Sequence, residues 1–256
     1  MAAPVTSLTI VTGSSRGLGA HIALQSLRPG AQVLGLARGL NPAFHHRTAA
    51  AGGASGEQWQ VDLAEAGPVA ERLQRWLGDF DASGLTQVAL INNACLLTPP
   101  GPLEAPGDAK IVAALRVGLE AAILLTAAFL RATRAWSADR RILNISSGLG
   151  RRAMAGSAVY CAVKAGMDHY SRALALEQAA EAHGARVVSL APGVIDTDMQ
   201  LQLRSSDPNA FADRESFVRL HRDGQLTSPA DAAAQVLAYL ARDDFGNNPV
   251  ADVRQP

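Results

Sequence analysis

Cysteine is scarce in this chain. Cys95 and Cys161 are too few for a disulfide framework and do not fall at the spacing of a metal-binding pair, so both are expected as reduced thiols of a cytoplasmic protein. Net charge is lacking as well. Lys plus Arg and Asp plus Glu each count 23, which leaves no basic field to gather nucleic acid or an anionic membrane. Aromatic residues are only 5% of the chain against 48% hydrophobic, so Ala, Leu and Val must fill the interior, which suits helices packed closely on a buried sheet. The first seven residues show no basic segment leading into an apolar one, and no apolar run is read as long enough to span a bilayer, so neither a signal peptide nor a membrane anchor is expected. No metal is expected either, because the adjacent His45 and His46 lack acidic or thiol partners at ligand spacing.

What is present is alternation. Short apolar, β-rich runs at 8–12, 32–37, 58–61, 87–91, 141–145, 186–190 and 250–253 are separated by helical patterns at 18–27, 65–77, 108–136, 157–182 and 229–242. That order predicts an α/β protein, a single Rossmann-type, doubly wound domain over 1–256 with about seven parallel strands and helices on both faces. The stretches 39–56 and 97–107 read as turns within it. The polar, weakly periodic segment 198–226 follows the sixth strand, and a fold that places its ligand at strand carboxyl ends puts such an insertion where a substrate lid belongs.

A glycine-rich run, Thr12-Gly13-Ser14-Ser15-Arg16-Gly17-Leu18-Gly19, joins the first strand to the first helix. Such a turn brings backbone amides and a helix N-terminus against a pyrophosphate, and the absence of a Gly-Lys-Ser/Thr ending argues against a nucleoside triphosphate loop. The second strand ends in Ala37-Arg38, without the acid that would select a free ribose hydroxyl. Arg38 and Arg16, two guanidinium groups read as having no facing carboxylate, favour a 2′-phosphate and therefore NADP(H). Asp62-Leu63 and Asn92-Asn93-Ala94 end the third and fourth strands, where an adenine and a ribose would lie.

Tyr160 and Lys164 are four apart on a predicted helix and share one face, with Ser147 thirteen positions upstream of the tyrosine. An ammonium beside a phenol favours the phenolate. Bringing a tyrosine from about 10 to about 7 requires roughly 4 kcal/mol of such stabilisation.

These motifs, in this order, resemble those of the short-chain dehydrogenase/reductase family over nearly the whole chain. Pro192-Gly193 followed by Ile195 and Thr197 completes the set. The resemblance implies that Tyr160 donates a proton to a substrate oxygen and that Ser147 hydrogen-bonds the carbonyl. It also implies that Lys164 lowers the phenol pKa and binds the nicotinamide ribose, while the Pro192-Gly193 turn and Thr197 hold the nicotinamide. Within the family the likeness is greatest to sepiapterin reductases and bacterial benzil (diketone) reductases. It rests on Asn144-Ile145-Ser146-Ser147, Val159-Tyr160-Cys161-Ala162 and Asp196-Thr197-Asp198-Met199-Gln200, and on Asp252, which falls where sepiapterin reductases anchor the guanidine-like edge of a pterin. Family members also pair two long helices between subunits, so a homodimer or homotetramer is implied.

The sequence departs from the family at two places. Gly118 stands where an asparagine usually supports the proton relay, and Cys95 stands where glycine is usual, which predicts strain if that backbone needs positive φ. The expected activity is an NADPH-dependent carbonyl reductase acting on a small ketone or vicinal dicarbonyl. The alternatives are an NADP-dependent alcohol dehydrogenase and a weakly catalytic NADP-binding regulatory protein.

Overall fold

The computed structural model describes residues 5–50 and 52–255. Within them, β1 (Ser7–Thr12), β2 (Ala31–Ala37), β3 (Ser55–Gln60), β4 (Gln87–Asn92), β5 (Asp139–Ile145), β6 (Arg186–Ala191) and β7 (Val250–Asp252) form one parallel sheet in the order β3-β2-β1-β4-β5-β6-β7. Strands 2 and 4 flank strand 1, so the chain winds outward in both directions from the β1/β4 seam. Ligands of open α/β sheets sit at such a switch point, beyond the strand carboxyl ends.

Helices α1 (Gly17–Ser26) and α9 (Pro229–Leu240) cover one face, burying Ile22, Ala23, Val236 and Leu240 on Val11, Ile91 and Val188. Helix α9 opens on Ser228, whose hydroxyl accepts a hydrogen bond from Asp231 N at 3.1 Å, with Pro229 in the first turn. The other face is covered by α3 (Ala66–Gly78), α4 (Asp108–Leu115), α5 (Ala121–Thr133) and α6 (Ala158–Ala179), which bury Leu73, Leu77, Leu125, Phe129 and Leu174 on Leu8, Ile10, Leu90 and Ile142. Burying one leucine in full contributes about 1.5–3 kcal/mol, so each face is held by several such side chains.

Three sequence expectations require correction. The stretch 39–56 contains a helix, α2 (Pro42–Ala50), in which Asn41 Oδ1 accepts from Ala43 N at 3.1 Å and Phe44 is fully buried. His45 and His46 lie on this helix and not in a loop. The pattern 108–136 is interrupted by a π-turn at Arg116–Glu120, where Ala121 N reaches back to Arg116 O. The run Asp108–Thr133 reaches a mean hydropathy of 1.9 over 18 residues and is, by length and composition, apolar enough to cross a membrane, contrary to the sequence reading. Its inner face, Leu125, Ala128 and Phe129, packs in the core. The segment 198–226 holds two short helices, α7 (Asp198–Arg204) and α8 (Arg214–Arg222).

Candidate active site

A cavity of about 470 Å³ opens at the carboxyl ends of the strands. Its floor is the β1–α1 turn. Gly13 adopts φ +69°, and a Cβ on Gly19 would collide with the Gly13 carbonyl oxygen and the Asn93 amide. Buried Thr12 ties the two central strands together. Its Oγ1 accepts from Asn93 N at 2.9 Å and Ala94 N at 3.0 Å, and Asn93 Nδ2 donates to Thr12 O at 2.9 Å. These bonds brace the turn from the neighbouring strand.

Gly13, Ser15, Arg16, Gly17, Leu18 and Gly19 all face this cavity, as do Arg38, Asp62, Leu63, Asn93 and Ala94. Ser14 does not. It is 2% exposed and packs behind the turn, where a Cβ on Gly35 would stand 2.6 Å from its hydroxyl. Asp62 Oδ1 accepts from Ala64 N at 2.9 Å, which fixes the strand-to-helix corner. Arg38 is exposed at the cavity edge and has no ion-pair partner among the described residues. Arg16 differs from expectation: a carboxylate does face it, Asp198 Oδ2 at 2.9 Å.

On the opposite wall, β5 delivers Ser147 and α6 delivers Tyr160 and Lys164. The serine hydroxyl accepts from Leu149 N at 3.2 Å and lines the cavity with the phenol. Lys164 is 3% exposed; its Nζ donates to Ile145 O at 2.7 Å and lies 5.6 Å from the Tyr160 ring centre. Burial pushes the Tyr160 phenol above its ordinary value, with Lys164 and Ser147 opposing. Lys164 acts on the phenol in the expected, lowering sense, and desolvation is the larger influence. Burial also pulls the Lys164 ammonium down, but Cys95, Tyr160 and Asp168 outweigh it, and its pKa ends above the usual lysine value. Two hydroxyls backed by an ammonium can hydrogen-bond an oxygen on a bound molecule and pass it a proton.

Pro192, Gly193, Ile195 and Thr197 line the same space after β6, and Met199, Gln200, Leu203 and Phe217 close it from α7 and α8. Asp252 does not face it. Its carboxylate is gripped in a fork by Arg254, Nε to Oδ1 at 2.8 Å and Nη2 to Oδ2 at 2.6 Å, with Arg151 Nη2 3.5 Å away; Arg254 forms the wall instead. Hydrogen bonds from Arg254 hold the Asp252 carboxyl below the usual carboxylate range. Cys95 is free of the strain feared for it, since no non-glycine residue among those described has positive φ.

Asp168, Ser171 and Ser189 escaped the sequence reading, as did the supporting bonds of Asn92, Asn144 and Ser146. Asp168, one turn beyond Lys164, is 1% exposed, and its Oδ1 accepts from Ser146 at 2.5 Å and Ser189 at 2.7 Å, which pins the loop carrying Ser147. Asn92 Nδ2 donates to Asn144 Oδ1 at 2.8 Å, and Asn144 Nδ2 to Ser171 Oγ at 2.8 Å, joining β4, β5 and α6 beneath the site. Polar residues at strand ends were the one available signal.

The sequence profile of the short chain dehydrogenase family matches residues 7–208. The chain belongs to that family. This short-chain dehydrogenase/reductase is 32% identical to a benzil reductase ((S)-benzoin forming) of Bacillus subtilis over 251 residues, 97% of this chain and 98% of that protein. It is 31% identical to the sepiapterin reductase of Rattus norvegicus over 262 residues, 93% of each. Among solved structures it resembles a metagenomic short-chain oxidoreductase in complex with NADP, with a TM-score of 0.71 and 28% identity over 98% of this chain and 97% of that one. The protein is an oxidoreductase acting on CH–OH and C=O groups of small molecules, with NAD(P) as cofactor.

Proposed function

We propose that this short-chain dehydrogenase/reductase is a cytoplasmic, NADPH-dependent carbonyl reductase of small ketones or vicinal dicarbonyls. The observation that carries the reading is the Ser147–Tyr160–Lys164 group on one wall of a cavity whose other wall is the glycine turn. The backbone of Gly13, Ser15, Gly17, Leu18 and Gly19 fits a pyrophosphate, with Ser14 shaping the turn from behind. Arg38, beside it and without an ion-pair partner among the described residues, fits a 2′-phosphate, and Arg16 joins it when released from Asp198. Asp62 and Leu63 would border the adenine, Asn93 and Ala94 a ribose, and Pro192, Gly193, Ile195 and Thr197 the nicotinamide, since all of them line the cavity. NADPH supplies the hydride.

Ser147 holds the substrate oxygen, Tyr160 protonates it as charge develops, and Lys164 steadies the phenolate left behind. Apolar Leu97, Leu149, Met154 and Phe217 at the substrate end suit an uncharged dicarbonyl with organic flanks. A pterin's guanidine-like edge would have to take the place of Arg254 on Asp252. The chain works as one domain over 1–256, with 198–226 as the lid.

Val112, Leu115, Ile123 and Leu176 leave exposed apolar surface on α4, α5 and α6, which supports pairing of copies into a homodimer or homotetramer. Light scattering at micromolar concentration should find no monomer.

The decisive experiment is to follow NADPH absorbance on adding diacetyl, benzil or sepiapterin. Consumption of NADPH with at least one of them is expected. Tight NADPH binding without turnover of any ketone would instead favour a silent NADP-binding protein, the reading motivated by Gly118.

A further inference from the structure

One amide in the wall of the active-site cavity is left without a partner. Gln200, in the first turn of α7, lines the cavity and is only 6% exposed. Its Oε1 is buried and has no hydrogen-bond partner among the described residues. A buried amide without a partner destabilises the fold, and one set in a cavity wall is satisfied when a ligand brings the partner.

The course of α7 tells which part of a ligand Gln200 meets. The helix starts at the cofactor end, since a Cβ on Gly17 of the glycine turn would stand 3.6 Å from Cγ2 of Thr197, the residue that opens α7. One turn beyond Gln200, on the same face, Leu203 packs with Met154 and Phe211, and Leu149 and Cys161 border them. Leu149 N donates to Ser147 Oγ, and Cys161 follows Tyr160, so this cluster adjoins the residues that take the substrate oxygen. Gln200 thus stands where the cofactor end of the cavity meets its apolar end. Arg204 Nη1, 3.2 Å from Asp196 Oδ1, ties the far end of α7 to the turn before it and holds the helix in place. A vicinal dicarbonyl carries two oxygens on adjacent carbons, and Ser147 with Tyr160 serve one of them. The last torsion of glutamine is broad and roughly two-fold, so the amide can turn Nε2 to a second carbonyl or Oε1 to a hydroxyl.

We propose that Gln200 is a specificity-determining residue: its amide hydrogen-bonds the second oxygen of the substrate, on the carbon beside the reacting carbonyl, and so selects vicinal dicarbonyls and α-hydroxy ketones over simple ketones. The inference rests on the carbonyl-reductase reading given above and names the feature of the substrate that this site reads.

The test compares benzil with deoxybenzoin, which has the same skeleton with a methylene in place of one carbonyl. Gln200→Leu should lower kcat/KM for benzil about tenfold to a hundredfold while keeping deoxybenzoin and NADPH affinity within about twofold of wild type. Gln200→Met, unbranched and of similar length, should give the same pattern, which separates loss of the amide from a packing fault. Calorimetric titration of both ketones into the complex with NADP+, where no hydride is available, reads the contact without turnover. Wild type should bind benzil about tenfold more tightly than deoxybenzoin, and either variant should erase the difference. Equal losses on the two ketones, or a wild type that binds benzil no better than deoxybenzoin, overturns the proposal. So does a fall in NADPH affinity in place of the ketone preference, which would put the amide on the nicotinamide. A wild-type chain that reduces no carbonyl sinks the functional reading, while the titration still decides what Gln200 recognises.

Discussion

Arg16 Nη1 lies 2.9 Å from Asp198 Oδ2, so a cation of the glycine turn is tied to the first residue of α7 across the mouth of the cavity. Both side chains are more than two-thirds exposed, at 72% and 71%, so the pair adds little to stability and is readily exchanged. A phosphate approaching Arg16 competes with Asp198 for the same guanidinium. Asp198→Asn is expected to raise the NADPH-to-NADH affinity ratio a few-fold in fluorescence titrations without moving Tm, and Arg38→Asp to lower that ratio about tenfold or more. Ratios insensitive to both changes would remove the arginines from cofactor selection.

The raised Tyr160 phenol sets a pH dependence. A group that keeps its proton through neutrality is a ready acid and a poor base, so kcat for reduction should stay level from about pH 6 to about pH 9 and fall only beyond it. The reverse oxidation should climb as pH rises over the same range. Tyr160→Phe should cost about 10²–10⁴-fold in kcat and abolish the alkaline limb, whereas a wild-type reduction limb breaking near neutrality would contradict this arrangement.

Arg254 decides what reaches Asp252. With both carboxylate oxygens held by the arginine fork, a substrate bearing its own guanidine-like edge must displace it. Arg254→Ala is expected to lower KM for sepiapterin about tenfold relative to KM for benzil. An unchanged KM ratio between the two substrates would show that Asp252 does not select substrate.

Asp139 at the start of β5 offers a stability test away from the site. Burial raises its carboxyl, but Arg186 and Arg141 outweigh that; Arg141 Nε donates at 2.7 Å and Arg186 Nε at 3.1 Å, so the folded pKa is low. A carboxyl depressed on folding contributes stability above its unfolded pKa, near 4, and loses it as pH falls through the folded value. Asp139→Asn should therefore cost about 1–2 kcal/mol near pH 7, discounted for partial exposure, and the gap to wild type should close under acid. Equal urea midpoints for the two proteins at pH 7 would contradict this.

Much of the molecule was legible in the chain because its signals are local. Strand runs, the glycine turn, and Tyr160 with Lys164 one helical turn apart depend on near neighbours, and the strand ends lie within a residue or two of their expected places except the first residue of β3, which differs by three. Helix α2 was missed although Asn41-Pro42 is a helix-opening signal, since the glycines and alanines around it read as a loop.

What the residues indicated by themselves was the succession of strands and helices along the chain, from periodicity, and, through motifs that resemble those of the family, the candidate pair Tyr160 and Lys164. Tertiary structure alone decided that Asp198 meets Arg16 across 182 positions, that Arg254 covers Asp252, and that Cys95 settles against Gly118. It also decided how strongly burial acts on the phenol, because desolvation is summed over every group packed around a side chain and no spacing in the sequence records it.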